Sequence, residues 1–502
     1  MRATMRRNFA LVVVLGCLGL TAGFAQVEKP SDLKYPALKY EPPDPKACRT
    51  SFANGLRGYV QEDHSLPVVN LSATINYGHP YDSKDKVGLG QLLGATLIKG
   101  GTKSKPGNVI EERIDFLGGS LNFTVSERTF TPSTVNDRTS TLSLFVLSKD
   151  LDEGLGLFFD VLMNPEFRED PFKLARARLI EGLRQANDQP STVLTREYER
   201  LLYGDGPLTW EPTRKSYDGL TAADLKAVHA RFFYPKNIIL AAAGDFSKAD
   251  LVKKVNKIIG PWENGKAVIP AFAKTFPEVE PGVYFIQKKI NQGYISLGHL
   301  GIEDTNPDYY AVQVMNFILG GGSFTSRITT KVRSDEGLAY NTGSRFSYRW
   351  GFPGTLSGYV QTKSATVGYA ISLILKEFER IRQEPVSDGE LATAVDYYLE
   401  SFSDSFSSPM TTMGNFAALD MQGKPMDYYK TYRDKIRLVT KDRVLEVAKK
   451  YLHPEKAAIL IVGDWEPCNK GGDQFPGPLD KLGQVHRISL RDPMTGEDIK
   501  AQ

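Results

Sequence analysis

The chain has 502 residues, enough for two or three domains with substantial cores, and its 41% hydrophobic and 24% charged content is that of an ordinary globular protein. Its 62 basic and 59 acidic residues leave a formal charge of +3. That near balance argues against a nucleic-acid binder, in which a basic excess is usually gathered on one face.

In chain order the first element is a targeting segment. MRATMRRN carries Arg2, Arg6 and Arg7, and the apolar FALVVVLGCLGLTAGFA ends in small residues. Residues 1–25 therefore read as a secretory signal peptide cleaved after Ala25, which places the mature chain in the periplasm or outside the cell. VLGC (14–17) resembles a bacterial lipoprotein cleavage site with Cys17 as the lipidated residue. Leu15 is an unusual occupant there and apolar sequence continues past Cys17, so plain cleavage is the leading reading and lipidation the second. No other run is long and apolar enough to span a bilayer. Residues 26–50 are proline-rich and read as extended. Cleavage leaves Cys48 and Cys468. In an oxidising compartment they either pair, tying the start of the fold to its end, or stay as two thiols, and spacing does not choose between these.

Two similar halves follow, at 51–262 and 284–468, joined by a linker at 263–283 with three prolines and no periodicity. The first half opens with VVNLSATINYGHPYDSKDKVGLGQLLGATLIKGG (68–101), read as strand, loop, helix and glycine stop; YISLGHLGIEDTNPDYYAVQVMNFILGGG (294–322) repeats that order. The first half closes with YPKNIILAAAGDF and the second with HPEKAAILIVGDW, each a buried strand and a Gly-Asp turn, at an offset of 219 residues. Such a period is too long for a solenoid and indicates a duplicated domain. Between opening and close lie alternating strands (LNFTVSERTF; GTLSGYVQT) and amphipathic helices around 150–163, 170–187, 220–232 and 366–384. The expected class is α+β, each half a mostly antiparallel sheet with helices packed on one face. Residues 469–502 read as an extended tail.

The opening helix of the first half, GLGQLLGATLIKGGT (88–102), keeps an apolar stripe of Leu89, Leu92, Leu93, Leu97 and Ile98, while its polar slots hold Gln91, Gly94 and Ala95. The six histidines (64, 79, 229, 299, 453 and 486) include no pair at metal-ligand spacing. His79 with Asp82 and Asp85 is the nearest cluster, and it reads as a solvated loop with a helix-capping acid. There is no G-x-S-x-G, and neither mature cysteine has a neighbouring histidine. LGGG (319–322) lacks the Lys-Ser/Thr of a phosphate loop and reads as a helix end followed by a tight turn.

Architecture and motifs together resemble the M16 family of zinc peptidases, the insulinase, pitrilysin and mitochondrial processing peptidase group, over roughly residues 50 to 480. The resemblance implies two homologous domains of the LuxS/metallopeptidase-like fold. In active members the opening helix reads G-L-x-H-x-x-E-H-x-x-F-x-G-T, two histidines one turn apart holding zinc and a glutamate activating its water. Those positions fall here on Gln91, Gly94 and Ala95. The family's third ligand, a glutamate on a later helix, aligns with Gly182 in LIEGLRQANDQP; Glu181 points about 100° around that helix. The implied zinc site is therefore empty of ligands, and no cofactor is expected in this chain. LGGGSFTSRITTKVRSDEGLAYNTGS (319–344) resembles the C-terminal signature of the family, whose arginine and tyrosine, here Arg333 and Tyr340, reach the substrate. A guanidinium and a phenol are strong donors to a peptide carbonyl and to an oxyanion.

The resemblance implies a noncatalytic subunit of a heterodimeric M16 metallopeptidase in a bacterial envelope. It would complete the chamber and bind peptide or unfolded-protein substrates through Arg333 and Tyr340, while a partner subunit carrying H-x-x-E-H holds the zinc. The alternative is a non-proteolytic peptide-binding or scaffold protein, as with the M16-like core subunits of respiratory complexes.

Overall fold

The computed structural model describes residues 40–126, 138–265, 269–271 and 275–499. The signal peptide, Cys17 and the end of LNFTVSERTF lie outside the described residues, as does most of the proline-rich segment.

The first half is built on a six-stranded sheet of β1 (Arg49–Ser51), β2 (Arg57–Glu62), β3 (Val68–Ile75), β4 (Ser120–Val125), β5 (Ser140–Leu147) and β6 (Ile238–Gly244), in the order β1-β2-β6-β3-β5-β4. Only the β2–β6 pairing is parallel. The second half repeats the plan with β7 (Gly282–Gln287), β8 (Gln292–Leu300), β9 (Thr342–Phe346), β10 (Thr355–Lys363) and β11 (Ala458–Gly463). A minimal hairpin of β12 (Gly471–Gly472) and β13 (Phe475–Pro476) follows, and then β14 (Val485–Arg487), which completes the order β14-β7-β11-β8-β10-β9. Here β14–β7 and β7–β11 are parallel and the rest antiparallel.

The principal helices of the first half are α1 (Leu89–Thr96), α2 (Leu151–Met163), α3 (Glu169–Gln185), α4 (Pro190–Tyr203), α5 (Ala222–Phe232) and α6 (Lys248–Ile259). Those of the second half include α7 (Tyr309–Asn316), α8 (Val367–Gln383) and α9 (Pro409–Met421). The expected helices at 150–163, 170–187, 220–232 and 366–384 are thus α2, α3, α5 and α8. Each starts or stops for a local reason: Thr221 caps α5 through a reciprocal box with Asp224, and Pro409 occupies the first turn of α9 behind the Ser408 cap.

The continuous apolar runs of β6 and β11 are explained by cover on both faces. Ile238, Leu240 and Ala242 face the helices of their own half, whereas Ile239, Ala241 and Ala243 face Met413, Phe416 and Ala417 of α9, a helix of the second half. Reciprocally, Ile459 and Ile461 face their own helices, whereas Ala458, Leu460 and Val462 face Val193, Leu194, Tyr198 and Leu202 of α4, a helix of the first half. Each sheet has its own helices on one face, as expected, and borrows one helix of the other half for the opposite face. Met413 and Phe416 are fully buried in this exchange, each contributing about 1.5–3 kcal/mol of burial. Asp420, at the end of α9, also accepts hydrogen bonds from Arg57 and, at 3.0 Å, from the Tyr59 hydroxyl of β2.

Three expectations are corrected. The segment ending at residue 50 is not wholly extended: Asp44 caps a single helical turn, Pro45–Cys48, and β1 begins at Arg49. The last two residues of the linker, Gly282 and Val283, open β7. The stretch from 469 is no extended tail, because β14 joins the second sheet and the chain beyond it binds the first half. There the Asn187 amide donates to the Arg491 carbonyl at 2.8 Å, and the Arg214 N–H donates to the Met494 carbonyl at 2.9 Å. Proline, glycine and very short elements hid this order from periodicity.

His229 on α5 packs between Phe167 and Phe233 and hydrogen-bonds the Leu162 carbonyl at 2.9 Å through Nε2, which must carry the proton. Burial lowers its pKa from 6.5 to about 4. The native state then binds fewer protons than the unfolded chain between those values, so stability present above pH 6.5 is lost as pH falls toward 4. The expected loss from this ring alone is about 3 kcal/mol at 1.36 kcal/mol per unit. Urea midpoints measured from pH 7.5 to 4.5 should fall less steeply for His229→Phe than for the natural chain. Parallel curves would remove His229 from the account.

Candidate functional site

The helix α1 is seated by its leucines: Leu89, Leu92, Leu93 and Leu97 are buried in the first core, and α1 packs against α3. Gly88, at φ +97°, turns the chain into the helix, and there a Cβ would also strike the Tyr217 ring at 2.7 Å. Asp82 accepts hydrogen bonds from the Gly90 N–H at 3.0 Å and from the Tyr77 hydroxyl at 2.8 Å. It therefore does cap the helix, but from a buried position rather than a solvated one. Burial pushes its carboxyl up to about 6 against the lowering effect of those bonds. Asp85 remains exposed and bonds Ser83.

The family resemblance assigns four positions to zinc chemistry. The Gln91 carbonyl accepts a hydrogen bond from the Tyr217 hydroxyl, which occupies its one good donor atom. Gly94 and Ala95 carry no donor. Gly182 lies exposed near the end of α3 with nothing within 4 Å of where a Cβ would stand, and neighbouring Glu181 pairs with Arg184 on the surface. Among the described residues no three His, Cys, Asp or Glu side chains converge as metal ligands would. This donor set does not fit zinc. A cavity of about 490 Å³ nevertheless persists beside α1, lined by Asp82 and Gln91, by Thr195 and Arg196 of α4, and by Trp210.

The second element is assembled around the glycine run. After α7 the chain takes a π-type turn, Phe317–Gly321, as expected of a helix end. Gly320 is needed there for close approach: a Cβ would lie 2.1 Å from the Ser344 nitrogen of β9. The following loop is anchored by Arg327, whose Nη2 donates to Glu390 at 3.0 Å. Burial pushes Glu390 up, but the bonds from Arg327 and the Ser387 amide prevail and hold it at about 2. Gly337, at φ +62°, reverses the chain so that Tyr340 returns beside Arg333. The Arg333 guanidinium lies between two rings, 4.1 Å from the centre of Tyr340 and 4.3 Å from that of Phe324, and its Nη1 donates to the Tyr340 carbonyl at 3.3 Å. Tyr340 is 83% exposed, so its phenol is presented outward.

The structure thus brings Arg333 and Tyr340 together at the mouth of a second cavity, also of about 490 Å³. Among the described residues this cavity shares no lining residue with the one beside α1. Arg345, Tyr359 and Tyr397 around the pair were not anticipated, since they lie outside the signature at 319–344 and carry no local mark of their own, and Phe324, which lies within it, was not singled out. Cys48 and Cys468 are both free thiols. Cys468 is buried in the second core and Cys48 packs at the α9 interface, so the bridge between them is not made. Burial raises both thiols, Cys468 to about 11, which keeps them protonated at neutral pH.

A duplicated α+β fold with the zinc helix in place and its ligands replaced defines a metallopeptidase homologue without the metal-binding side chains. The model of the insulinase family, peptidase family M16, matches residues 59–210, and that of the peptidase M16 inactive domain matches residues 219–398. The chain belongs to the M16 peptidase family. It is 24% identical over 412 residues to the non-peptidase homolog YmxG of Helicobacter pylori, covering 80% of this chain and 91% of that protein. It is likewise 24% identical to a Bacillus subtilis protein named uncharacterized zinc protease YmxG, covering 82% and 97%. Among solved structures, the peptidase M16 inactive domain from Pseudomonas fluorescens superposes with a TM-score of 0.73 at 24% identity, over 83% of this chain and 97% of that one. A chain of Complex III2 from Candida albicans reaches 0.64 at 15% identity, over 84% and 96%.

Proposed function

We propose that this chain is the noncatalytic subunit of a two-chain M16 peptidase in a bacterial envelope, exported by its signal peptide. Its part is to complete the chamber and to hold peptide through Arg333 and Tyr340, while a partner M16 chain carries H-x-x-E-H and zinc. The observation that carries this reading is the contrast between the two elements. The metal helix keeps its leucine packing and no ligands, whereas the guanidinium and phenol are oriented together on an exposed lip. Packing alone accounts for α1, because burial depends on the leucine face and not on what occupies the polar slots. Packing does not account for a phenol left in solvent. The second reading, a non-proteolytic peptide-binding or scaffold protein, draws on the likeness in fold to a chain of Complex III2.

Co-purification from the native source, followed by peptide hydrolysis assays on the recovered mixture, separates the two. A partner with a complete zinc motif should be recovered, and this chain should raise its rate. Arg333→Ala or Tyr340→Phe should lower the gain by roughly a hundredfold, the scale of losing one oxyanion donor, while size-exclusion profiles show assembly intact. An unchanged rate in both variants overturns the assignment.

A further inference from the structure

The Arg333–Tyr340 pair is joined by a third side chain whose position core packing does not explain. Among the described residues four large aromatic side chains are exposed, Phe116, Phe324, Tyr340 and Tyr397, and the last three stand around this one cleft. Phe324 is 61% exposed, so burial is not what holds it there. The turn that carries it, Ser323–Thr325, is nevertheless firmly fixed by hydroxyls. Thr325 donates to the Gly322 carbonyl at 2.8 Å, Ser326 to the Ser323 carbonyl at 2.7 Å and Thr330 to the Phe324 carbonyl at 3.2 Å. Ser323 sits at φ +52°, in the left-handed region that a residue with a Cβ usually avoids. The run SFTS (323–326) thus holds an apolar ring in solvent against Arg333.

Holding a guanidinium by rings has a chemical consequence. A carboxylate partner grips the N–H edge and uses up the fork that a ligand needs, whereas a ring grips the face and leaves that edge open. Around Arg333 the printed contacts of the guanidinium are with the rings of Phe324 and Tyr340. The neighbouring acids are drawn elsewhere, since Lys331 Nζ lies 3.8 Å from Asp335 and 2.9 Å from Glu336. Apart from the Nη1 bond to the Tyr340 carbonyl, the Arg333 N–H groups meet no acceptor among the described residues. An arginine held in this way has already lost side-chain freedom that a loose one would lose on binding.

We propose that Phe324 is a positioning residue of this site: its ring, with that of Tyr340, holds the Arg333 guanidinium in place with its donor edge free for peptide carbonyls. The inference rests on the peptide-binding reading of Arg333 and Tyr340, and it adds a residue that acts through Arg333 rather than on the peptide. It also gives Tyr340 two separable tasks, because Tyr340→Phe removes the phenol and keeps the clamp.

Isothermal titration calorimetry of the full chain with one N-acetylated, C-amidated peptide tests it in a double-mutant cycle. Arg333→Ala should weaken binding. Phe324→Ala should weaken it by about three- to tenfold, the scale of a cation–π contact and the order it confers. Phe324→Tyr, which keeps the ring, should bind as the natural chain does. In the Arg333→Ala background Phe324→Ala should change nothing further, because its effect passes through the guanidinium. Thermal melts of the variants confirm that each is folded. Natural affinity in Phe324→Ala, with Arg333→Ala still weakened, overturns the positioning role and leaves the peptide-binding reading standing. An equal loss from Phe324→Ala in both backgrounds means that the ring touches the peptide itself, and it overturns the positioning role as well. Failure of the natural chain to bind the peptide, or binding unaffected by Arg333→Ala, overturns the peptide-binding reading and this inference with it.

Discussion

The purified chain is expected to retain well under one zinc per molecule after dialysis and to show no chelator-sensitive peptide hydrolysis. Zinc in a catalytic site of this kind needs three protein ligands and lowers the pKa of its bound water to about 7. By the family resemblance, one ligand position here is an amide already engaged by Tyr217, and the others are an alanine on α1 and a glycine on α3. The resemblance puts the general base at Gly94, where even a Cβ would do no more than touch Val125 at 3.4 Å. A neighbour does not rescue the site, since Glu181 is turned to the surface with Arg184. The effect is all or none: without the ligands there is neither Lewis acid nor poised hydroxide. Metal analysis giving one zinc per chain that resists dialysis would refute it, and so would activity abolished by a chelator and restored by zinc.

Legibility in the sequence followed the range of the interactions. The strands β6 and β11 could be read because cover on both faces forces an unbroken apolar run over a few residues. What covers the outer face could not be read. The period of α4 or α9 shows that a helix has an apolar stripe, but Leu194 and Phe416 carry no mark of which sheet they meet. The site divides in the same way. Gln91, Gly94, Ala95, Arg333 and Tyr340 lie in short contiguous frames, and it is on these frames that the family resemblance assigns them. Arg345, Tyr359 and Tyr397 are gathered with them only by the fold, and the separation of Cys48 from Cys468 is equally a property of the fold. The stretch after 469 failed for a related reason, since its order comes from partners hundreds of residues away. One of those partners, Glu197, gives the second large expected effect.

Replacing Glu197 by alanine should cost about 3–5 kcal/mol, the scale of breaking a buried ion pair from one side. Its carboxylate is 7% exposed and accepts from Arg491 Nη2 at 2.9 and 3.0 Å and from Arg196 Nε at 2.8 Å. Arg196 in turn donates to the Asn187 side chain at 2.8 Å, and Asn187 donates to the Arg491 carbonyl, which closes a ring of contacts between α4, the α3–α4 turn and the C-terminal segment. Alanine would leave guanidiniums only 16% and 11% exposed without the carboxylate that offsets their desolvation. Arg491→Ala should cost less, because Glu197 keeps Arg196. Glu181→Ala provides the control: both members of its pair are 58% exposed, and the expected change is below about 0.5 kcal/mol. Hydrogen exchange distinguishes lost clasping from general loosening. In Glu197→Ala protection should fall first between residues 485 and 499, where β14 is a sheet-edge strand and the chain beyond it depends on α4 and Arg214. A urea midpoint indistinguishable from that of Glu181→Ala would mean that the C-terminal segment is held by β14 alone, and that the two halves are joined by their exchanged helices without this clasp.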